Sequence, residues 1–311
     1  MGGDIKLEKE NDKVMLTIWC TTYNHEPYIR QCLEGFVMQK TTFRFEAIVH
    51  DDASTDETAT IIREYAEKYP NIIKPIFETE NQYSKKNGTI PKIMNENTHG
   101  KYVAFCEGDD YWIDPLKLQK QVDFLEYHPE YVLCFHNAVK YYENFNKIEL
   151  FNSFSNNIDL SVHDAVFNWF VPTASIVFKS ELMKNRPQWV SDIYSGDYTL
   201  ILLAVRAGKV RYIHGMMSVY RINYLGTSAS AMMKGKNVFI LEQKILLLNS
   251  FIGHVEGRFM SEITSMIACL EKELKFQKYK DHKNVLGMLT MPKLLINKLY
   301  KKWILALNKD K

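Results

Sequence analysis

The sequence predicts an α/β fold in which helices flank a mostly parallel sheet, followed by a helical C-terminal extension. Short apolar runs alternate with amphipathic segments from residue 14 to 137, and several runs are apolar almost throughout, as in strands covered on both faces. Beyond about residue 230 the pattern is only helical. A composition with 46% hydrophobic and 24% charged residues is average for a globular protein and excludes a disordered chain.

Five runs rich in Val, Ile, Phe and Tyr predict the strands Val14–Cys20, Phe45–His50, Ile72–Phe77, Tyr102–Cys106 and Tyr131–Phe135. Between the first two, Tyr28–Gln39 predicts a helix because Ile29, Leu33 and Phe36 fall on one stripe. A second helix is predicted over Thr55–Tyr69. This alternation of strand and helix is typical of parallel sheets.

The remaining chain begins with an irregular segment, 140–195, which is rich in Asn and Ser. A helix over Gly196–Gly208 and a strand over Lys209–Val219 follow, and then three helices at Val238–Phe251, Met260–Phe276 and Lys293–Leu307. We therefore predict a polar tail (1–13), a domain (14–230) with halves 14–139 and 140–230, and a helical region (231–311).

The charge balance bears on partners and location. Lys and Arg number 39 against 37 Asp and Glu, and a net charge of +2 argues against a nucleic-acid binder that depends on bulk positive charge. The segment Met1–Lys13 is polar and charged, unlike a secretory signal, and no run approaches the ~18–20 apolar residues of a membrane span. These features predict a cytoplasmic protein.

The C-terminal segment is more basic than the rest of the chain. Residues 283–311 carry seven lysines and one acid, Asp310, for a net charge of +6. On a helical wheel Lys298, Lys301, Lys302 and Lys309 lie opposite an apolar face. Two interpretations stay open: peripheral contact of 293–309 with an anionic membrane surface, or a helix packed on the domain with its lysines in water.

Acidic residues follow the second predicted strand, where open parallel sheets bind ligands. The chain there reads Asp51-Asp52-Ala53-Ser54-Thr55-Asp56. Ser54 and Glu57 have capping-box spacing, which predicts that the next helix starts at 54–56. Capping does not explain Asp51 and Asp52, which repel each other unless a ligand uses them. A ligand site and a solvated turn are both possible interpretations.

A second acidic cluster, Glu107-Gly108-Asp109-Asp110, follows the fourth predicted strand. Further on, Asp114 before Pro115 has the form of a helix N-cap, which is a structural role. Three carboxylates within four residues suit Mn²⁺ or Mg²⁺, because these cations take oxygen ligands and often bridge phosphates to one or two carboxylates. The alternative is a plain acidic loop.

Together with Thr21-Thr22-Tyr23-Asn24 after the first strand, the two acidic motifs resemble the nucleotide-sugar-binding half of the family 2 glycosyltransferases, which have the GT-A fold. The resemblance covers about residues 14–230. It implies an inverting transferase of the hexosyltransferase type, active in polysaccharide biosynthesis, that uses Mn²⁺ or Mg²⁺. The enzyme would move a sugar from a UDP-sugar to a hydroxyl of a glycan or lipid-linked glycan. Ala53 replaces the family's usual Gly, and Glu107 holds the first acidic position.

The resemblance also implies residue roles. Nucleotide-binding positions would be Thr21, Tyr23, Asn24, Asp52, Asp109 and Arg221, and metal ligands would be Asp110, Asp109 and Glu107. Asp52 would accept a hydrogen bond from uracil. Arg221, in a segment similar to the family's Tyr-Arg-x-His, would pair with the diphosphate because its planar fork matches two oxygens. Asn223 stands where that segment often has His.

An inverting transfer needs a base for the proton of the acceptor hydroxyl, and the family places an Asp at the start of a helix. Ser195-Gly196-Asp197-Tyr198 matches that position. A helix N-terminus favours the carboxylate form, so Asp197 is the predicted general base. The alternative for Asp197 is a simple N-cap.

Two other functions are alternatives to glycosyl transfer. A sugar-phosphate nucleotidyltransferase would want a basic, Gly-rich loop after the first strand, and Asn24-His25-Glu26-Pro27 is not one. A catalytically inactive scaffold would have no need of the acidic triplet or of Asp197.

Overall fold

The computed structural model describes residues 13–281, apart from 86, 168–169, 185, 188, 191–192, 194, 223–236 and 256. The described residues form two compact units. The first comprises 13–192 and 196–222, and the second comprises 237–281 with residues 193 and 195. The predicted helix Lys293–Leu307, and with it the proposed membrane contact, lies outside the described residues.

The first unit opens with the predicted alternation of strands and helices. Its elements are β1 (Val14–Thr22), α1 (Glu26–Val37), β2 (Arg44–Asp51), α2 (Thr58–Lys68), β3 (Ile73–Phe77), α3 (Thr89–Glu96) and β4 (Tyr102–Phe105). It continues with β5 (Tyr111–Trp112), α4 (Lys117–Tyr127), β6 (Tyr131–Tyr142), β7 (Lys147–Leu150), β8 (Ile158–Leu160), α5 (Val162–Phe167), β9 (Val177–Lys179), α6 (Glu181–Lys184), α7 (Gly196–Ala207) and β10 (Lys209–Ile222). Short 3₁₀ turns lie at Tyr83–Lys85 and Thr173–Ser175.

The strands of the first unit belong to one mixed sheet. Within the described residues its order is β3-β2-β1-β4-β9-β6-β10-β5, with β7 on β6 and β8 on β10. Strands β1, β2, β3 and β4 run parallel, so the loops after β1, β2 and β4 meet at one edge. The short strand β9 separates β4 from β6 and is antiparallel to both. The predicted α/β architecture is confirmed.

The main core lies between the first strands and the helices that cover them. Leu16 and Ile18 of β1 are fully buried, as are Ile29, Leu33 and Phe36 of α1. The apolar stripe predicted for α1 is therefore the face that packs on the sheet. Because burial of each such side chain contributes ~1.5–3 kcal/mol, this packing holds the β1 strand end in place.

The second unit contains α8 (Asn237–Ile252) and α9 (Arg258–Asp281), which confirm two of the predicted C-terminal helices. Ile263, Ile267 and Leu270 of α9 are buried at helical spacing. Over the described residues, no helix is both long enough and apolar enough to cross a membrane.

Lys117, the first residue of α4, is fully buried. Its Nζ lies 4.0 Å from the centre of the Trp112 ring and has no hydrogen-bond partner within the described part of the chain. Burial lowers the pKa of Lys117 from 10.5 to about 7. Because an unpartnered polar group is costly to bury, we expect Lys117→Met to raise the free energy of unfolding at pH 7 by ~1–3 kcal/mol.

The pH dependence gives a second measure of the same effect. Between pH 7 and 10.5 the native lysine binds fewer protons than the unfolded one, so wild-type stability rises with pH across that window. Lys117→Met should lack this rise. Denaturant unfolding at pH 7, 8 and 9 measures it, with Lys120→Met as a control, since the Lys120 side chain is half exposed and bonded to Asp114. A methionine variant less stable than wild type at pH 7 would show that the lysine stabilises the fold.

Candidate active site

The loop after β2 is built around the Asp51 carboxylate. The Ser54 hydroxyl and the Ser54 backbone N–H both donate to Asp51. The capping-box prediction is wrong, because α2 begins at Thr58 and Ser54 bonds to Asp51 instead of capping the helix. Ala53 has a φ of +61°. The family's glycine therefore suits this backbone, and Ala53 adopts it at a steric cost.

Asn24 joins the loop after β1 to the loop after β2. Its Oδ1 accepts the Thr55 backbone N–H at 2.8 Å, and its own N–H donates to the Ser54 hydroxyl at 2.9 Å. Asn24 lies in the left-handed region with a φ of 53°, which Asn tolerates better than most residues. The side chain thereby fixes the edge of the predicted base pocket, where Tyr23 is 37% exposed.

Asp52 is buried beneath a segment whose role the sequence did not indicate. Its two carboxylate oxygens accept the backbone N–H groups of Gln82 at 2.7 Å and Tyr83 at 3.0 Å. The Gln82 amide in turn donates to Glu78 at 3.1 Å, and Glu78 pairs with the buried His50. The segment 78–85 is thus held beside the end of β2 by Asp52, the carboxylate predicted to bind the base.

The acidic loop Glu107-Gly108-Asp109-Asp110 runs beside the end of β1. The Gly108 N–H donates to the Thr21 carbonyl at 3.0 Å. A Cβ at Gly108 would lie 2.7 Å from the Thr22 hydroxyl oxygen, so only glycine fits this approach. Burial, Asp109 and Asp197 raise the pKa of Glu107 to about 8. The predicted metal site and the predicted base are therefore electrostatic neighbours.

Asp110 and Arg221 hold the acidic loop against β10. The Asp110 Oδ1 accepts the Arg221 backbone N–H at 2.8 Å, whereas Oδ2 is buried without a hydrogen-bond partner among the residues described. The Arg221 guanidinium donates from Nε to the Asp109 carbonyl at 2.8 Å and from Nη2 to Gln31 at 2.7 Å. Arg221 is only 6% exposed. It lies under the acidic loop, and its contact with a diphosphate stays a prediction.

Asp197 lies in the first turn of α7, as predicted, and is half-buried. Its Oδ2 accepts the Thr173 hydroxyl at 2.9 Å, and its Oδ1 accepts the Tyr198 N–H at 2.8 Å. The turn that carries Thr173 bonds to Trp112, two residues after the acidic loop, and the charge of Asp197 acts on Glu107. Asp197 therefore lies in the same region as the acidic loop, which itself bonds to the end of β1. Asn223 lies outside the described residues.

The acidic loop contains ligands that suit a divalent cation without forming a complete cage. Across the described part of the chain, no three His, Cys, Asp or Glu side chains are grouped as a metal-binding cluster. The unpartnered Asp110 Oδ2 is a hard oxygen donor beside Asp109, which is 7% exposed. One or two carboxylates are the usual protein share of a cation that also binds substrate phosphates. The donor set therefore fits Mn²⁺ or Mg²⁺.

A sequence model of the family described as Glycosyl transferase family 2 matches residues 17–225. The chain belongs to glycosyltransferase family 2. This family 2 chain is also 38% identical over 216 residues to an uncharacterized protein of Mycobacterium tuberculosis. That match covers 70% of the chain and 61% of the relative. The chain therefore spans less than two thirds of that relative's length.

Two solved structures share the fold of this family 2 chain. S. aureus TarS 1–349 in complex with UDP aligns with a TM-score of 0.59 and 15% identity, covering 92% of this chain and 78% of that one. Mannosyltransferase PcManGT from Pyrobaculum calidifontis, in complex with GDP-Man and Mn²⁺, aligns with a TM-score of 0.58 and 17% identity, covering 95% and 81%. The predicted GT-A fold is confirmed.

Proposed function

We propose that this chain is an inverting glycosyltransferase that moves a sugar from a UDP-sugar to a hydroxyl of a glycan or lipid-linked glycan. The observation that carries the proposal is the convergence of the β1 and β2 strand ends, the acidic loop and Asp197 at one region. Family membership and the UDP named with TarS and the Mn²⁺ named with PcManGT support the same reading.

The donor would lie along the strand ends with its diphosphate at the acidic loop. Tyr23, which is 37% exposed, offers a ring face for the base, and Asp52 holds the neighbouring segment 78–85. Asp109 and Asp110 would bind the cation, with Glu107 nearby. When bound, the cation would stabilise the negative charge that develops on the departing diphosphate.

Asp197 would take the proton from the acceptor hydroxyl as that oxygen attacks the anomeric carbon. The bond from this carbon to the diphosphate oxygen breaks at the same time, and UDP leaves with the electron pair. Attack from the face opposite the leaving group inverts the configuration. Outside this site, the basic segment 293–309 supports peripheral contact with a membrane that carries a lipid-linked acceptor.

A screen of nucleotide-sugars tests the proposal. The chain is incubated with UDP-sugars and GDP-sugars, with Mn²⁺ and then with a chelator, and the released nucleoside diphosphate is measured. We expect chelator-sensitive cleavage of one UDP-sugar, with a product of inverted anomeric configuration by NMR. Cleavage of GDP-sugars alone would refute UDP as the nucleotide of the donor. Cleavage of none of the nucleotide-sugars would favour the inactive scaffold.

A further inference from the structure

The hydrogen bond from Thr173 to Asp197 is a feature of the site that the sequence did not indicate. It joins the hydroxyl Oγ1 to the carboxylate Oδ2 at 2.9 Å in a partly buried environment. The second carboxylate oxygen, Oδ1, accepts the Tyr198 backbone N–H. Two donors on different oxygens fix the plane of a carboxylate, which a single bond would leave free to rotate.

The turn that carries Thr173 is itself held by buried hydrogen bonds. The indole Nε1 of Trp112 donates to the Ala174 carbonyl at 2.8 Å, and the Gln121 amide donates to the Ser175 carbonyl at 2.9 Å. The Ser175 hydroxyl closes the turn onto the Pro172 carbonyl at 2.6 Å. Ala174 and Ser175 are fully buried. Thr173 therefore projects from a support with little freedom to move.

This support connects directly to the acidic loop. Trp112 follows Asp109 and Asp110 by a few residues and lies in β5, which pairs with β10. Because Trp112 bonds to the turn, and Thr173 on that turn bonds to Asp197, one chain of contacts joins the predicted cation ligands to the predicted base. Catalytic groups lose much of their effect when displaced by about 1 Å, so such a connection has a use in the reaction.

We propose that Thr173 is a positioning residue that orients the Asp197 carboxylate toward the acceptor hydroxyl. The inference rests on the proposed function, since it assumes that Asp197 is the base. Thr173 touches neither donor nor acceptor in this scheme and acts only through Asp197.

Kinetics of UDP release from the donor found in the screen test the proposal. We expect Thr173→Val to lower kcat by ~10- to 100-fold with the donor KM nearly unchanged, because the carboxylate is misplaced while the nucleotide site is intact. Thr173→Ser retains the hydroxyl and should recover most of kcat. The double variant Thr173→Val with Asp197→Asn should lose no more activity than Asp197→Asn alone, as expected for residues that act as one unit.

The matched control is Thr17→Val. Thr17 donates to the Glu46 carboxylate at 2.9 Å, a bond of the same kind and length outside the site, so its loss should lower the melting temperature without separating kcat from KM. Wild-type kcat in Thr173→Val, no rescue by serine, or additive losses in the double variant would overturn the positioning role. Full activity of Asp197→Asn would instead overturn the proposed base, so the two failures are distinguishable.

Discussion

Asp197→Asn is expected to lower kcat by ~10²- to 10⁴-fold, the usual range for loss of a general base, while UDP affinity stays near wild type. The substitution preserves the shape of the side chain and one acceptor oxygen, which can still accept the Thr173 hydroxyl. The variant loses the proton acceptor and, with it, the acceptor for the Tyr198 N–H. Nucleotide binding should be retained because Asn24 and Asp52, which hold the strand-end loops, bond to Thr55 and Gln82.

Asp164→Asn is the control for the alternative that Asp197 is only a helix cap. Asp164 lies in the first turn of α5, as Asp197 lies in the first turn of α7, and its carboxylate accepts the Ser161 hydroxyl at 2.7 Å. We expect Asp164→Asn to change stability by ~1 kcal/mol or less and to leave kcat near wild type. Equal losses of activity in both variants would contradict the base assignment. So would a loss of UDP affinity in Asp197→Asn as large as its loss of kcat.

Elements that the sequence predicted well share a strong local pattern. The first predicted strand is apolar apart from Thr17, and α1 has its apolar residues on one stripe. These local patterns favour burial of one face of each element, so the sequence alone indicates both. Strand β9 has only three residues within an irregular segment. It exists because β4 and β6 both pair with it, which is a tertiary effect that no local pattern contains.

The loop after β2 illustrates a local pattern with two possible outcomes. Ser54 could cap the following helix or bond to a neighbouring side chain, and the sequence spacing favours capping. In the fold, Asp51 and Asn24 both lie within reach of Ser54, and α2 begins four residues later. The serine therefore stabilises the joined strand-end loops, a role that depends on a residue thirty positions earlier in the chain.

The candidate site was predictable where acidic residues follow a strand, and unpredictable where support comes from elsewhere. Glu107, Asp109 and Asp110 could be named as candidates from the sequence because three carboxylates after a buried strand are unusual. The segment 78–85 and Thr173 carry no such signal, since they act through backbone amides and one hydroxyl. Residues of this kind become visible only when the fold places them against a carboxylate.

Asp110→Asn is expected to weaken Mn²⁺-dependent UDP binding by at least ~100-fold. Replacing a residue that only supports a metal ligand costs up to ~100-fold in affinity, and losing a ligand itself should cost at least as much. Asp110 is 2% exposed, and burial, followed by the charge of Asp109, raises its pKa well above the usual range. Asparagine resembles the protonated acid and can still accept the Arg221 N–H. The variant should therefore fold at least as stably as wild type, which separates loss of a ligand from loss of structure.

The acidic residues of the same loop also predict how binding depends on pH. Protons compete with the cation for Asp110 and for Glu107, whose pKa is about 8, so wild-type Mn²⁺-dependent UDP affinity should increase from pH 6 to pH 8. Calorimetry at pH 7 in two buffers with different ionisation enthalpies should detect proton release, and Asp110→Asn should reduce both effects. Asp114→Asn is the control, because that carboxylate pairs with Lys120 beyond the acidic loop. Binding that is independent of pH, or equally weak in both variants, would contradict a cation at Asp110.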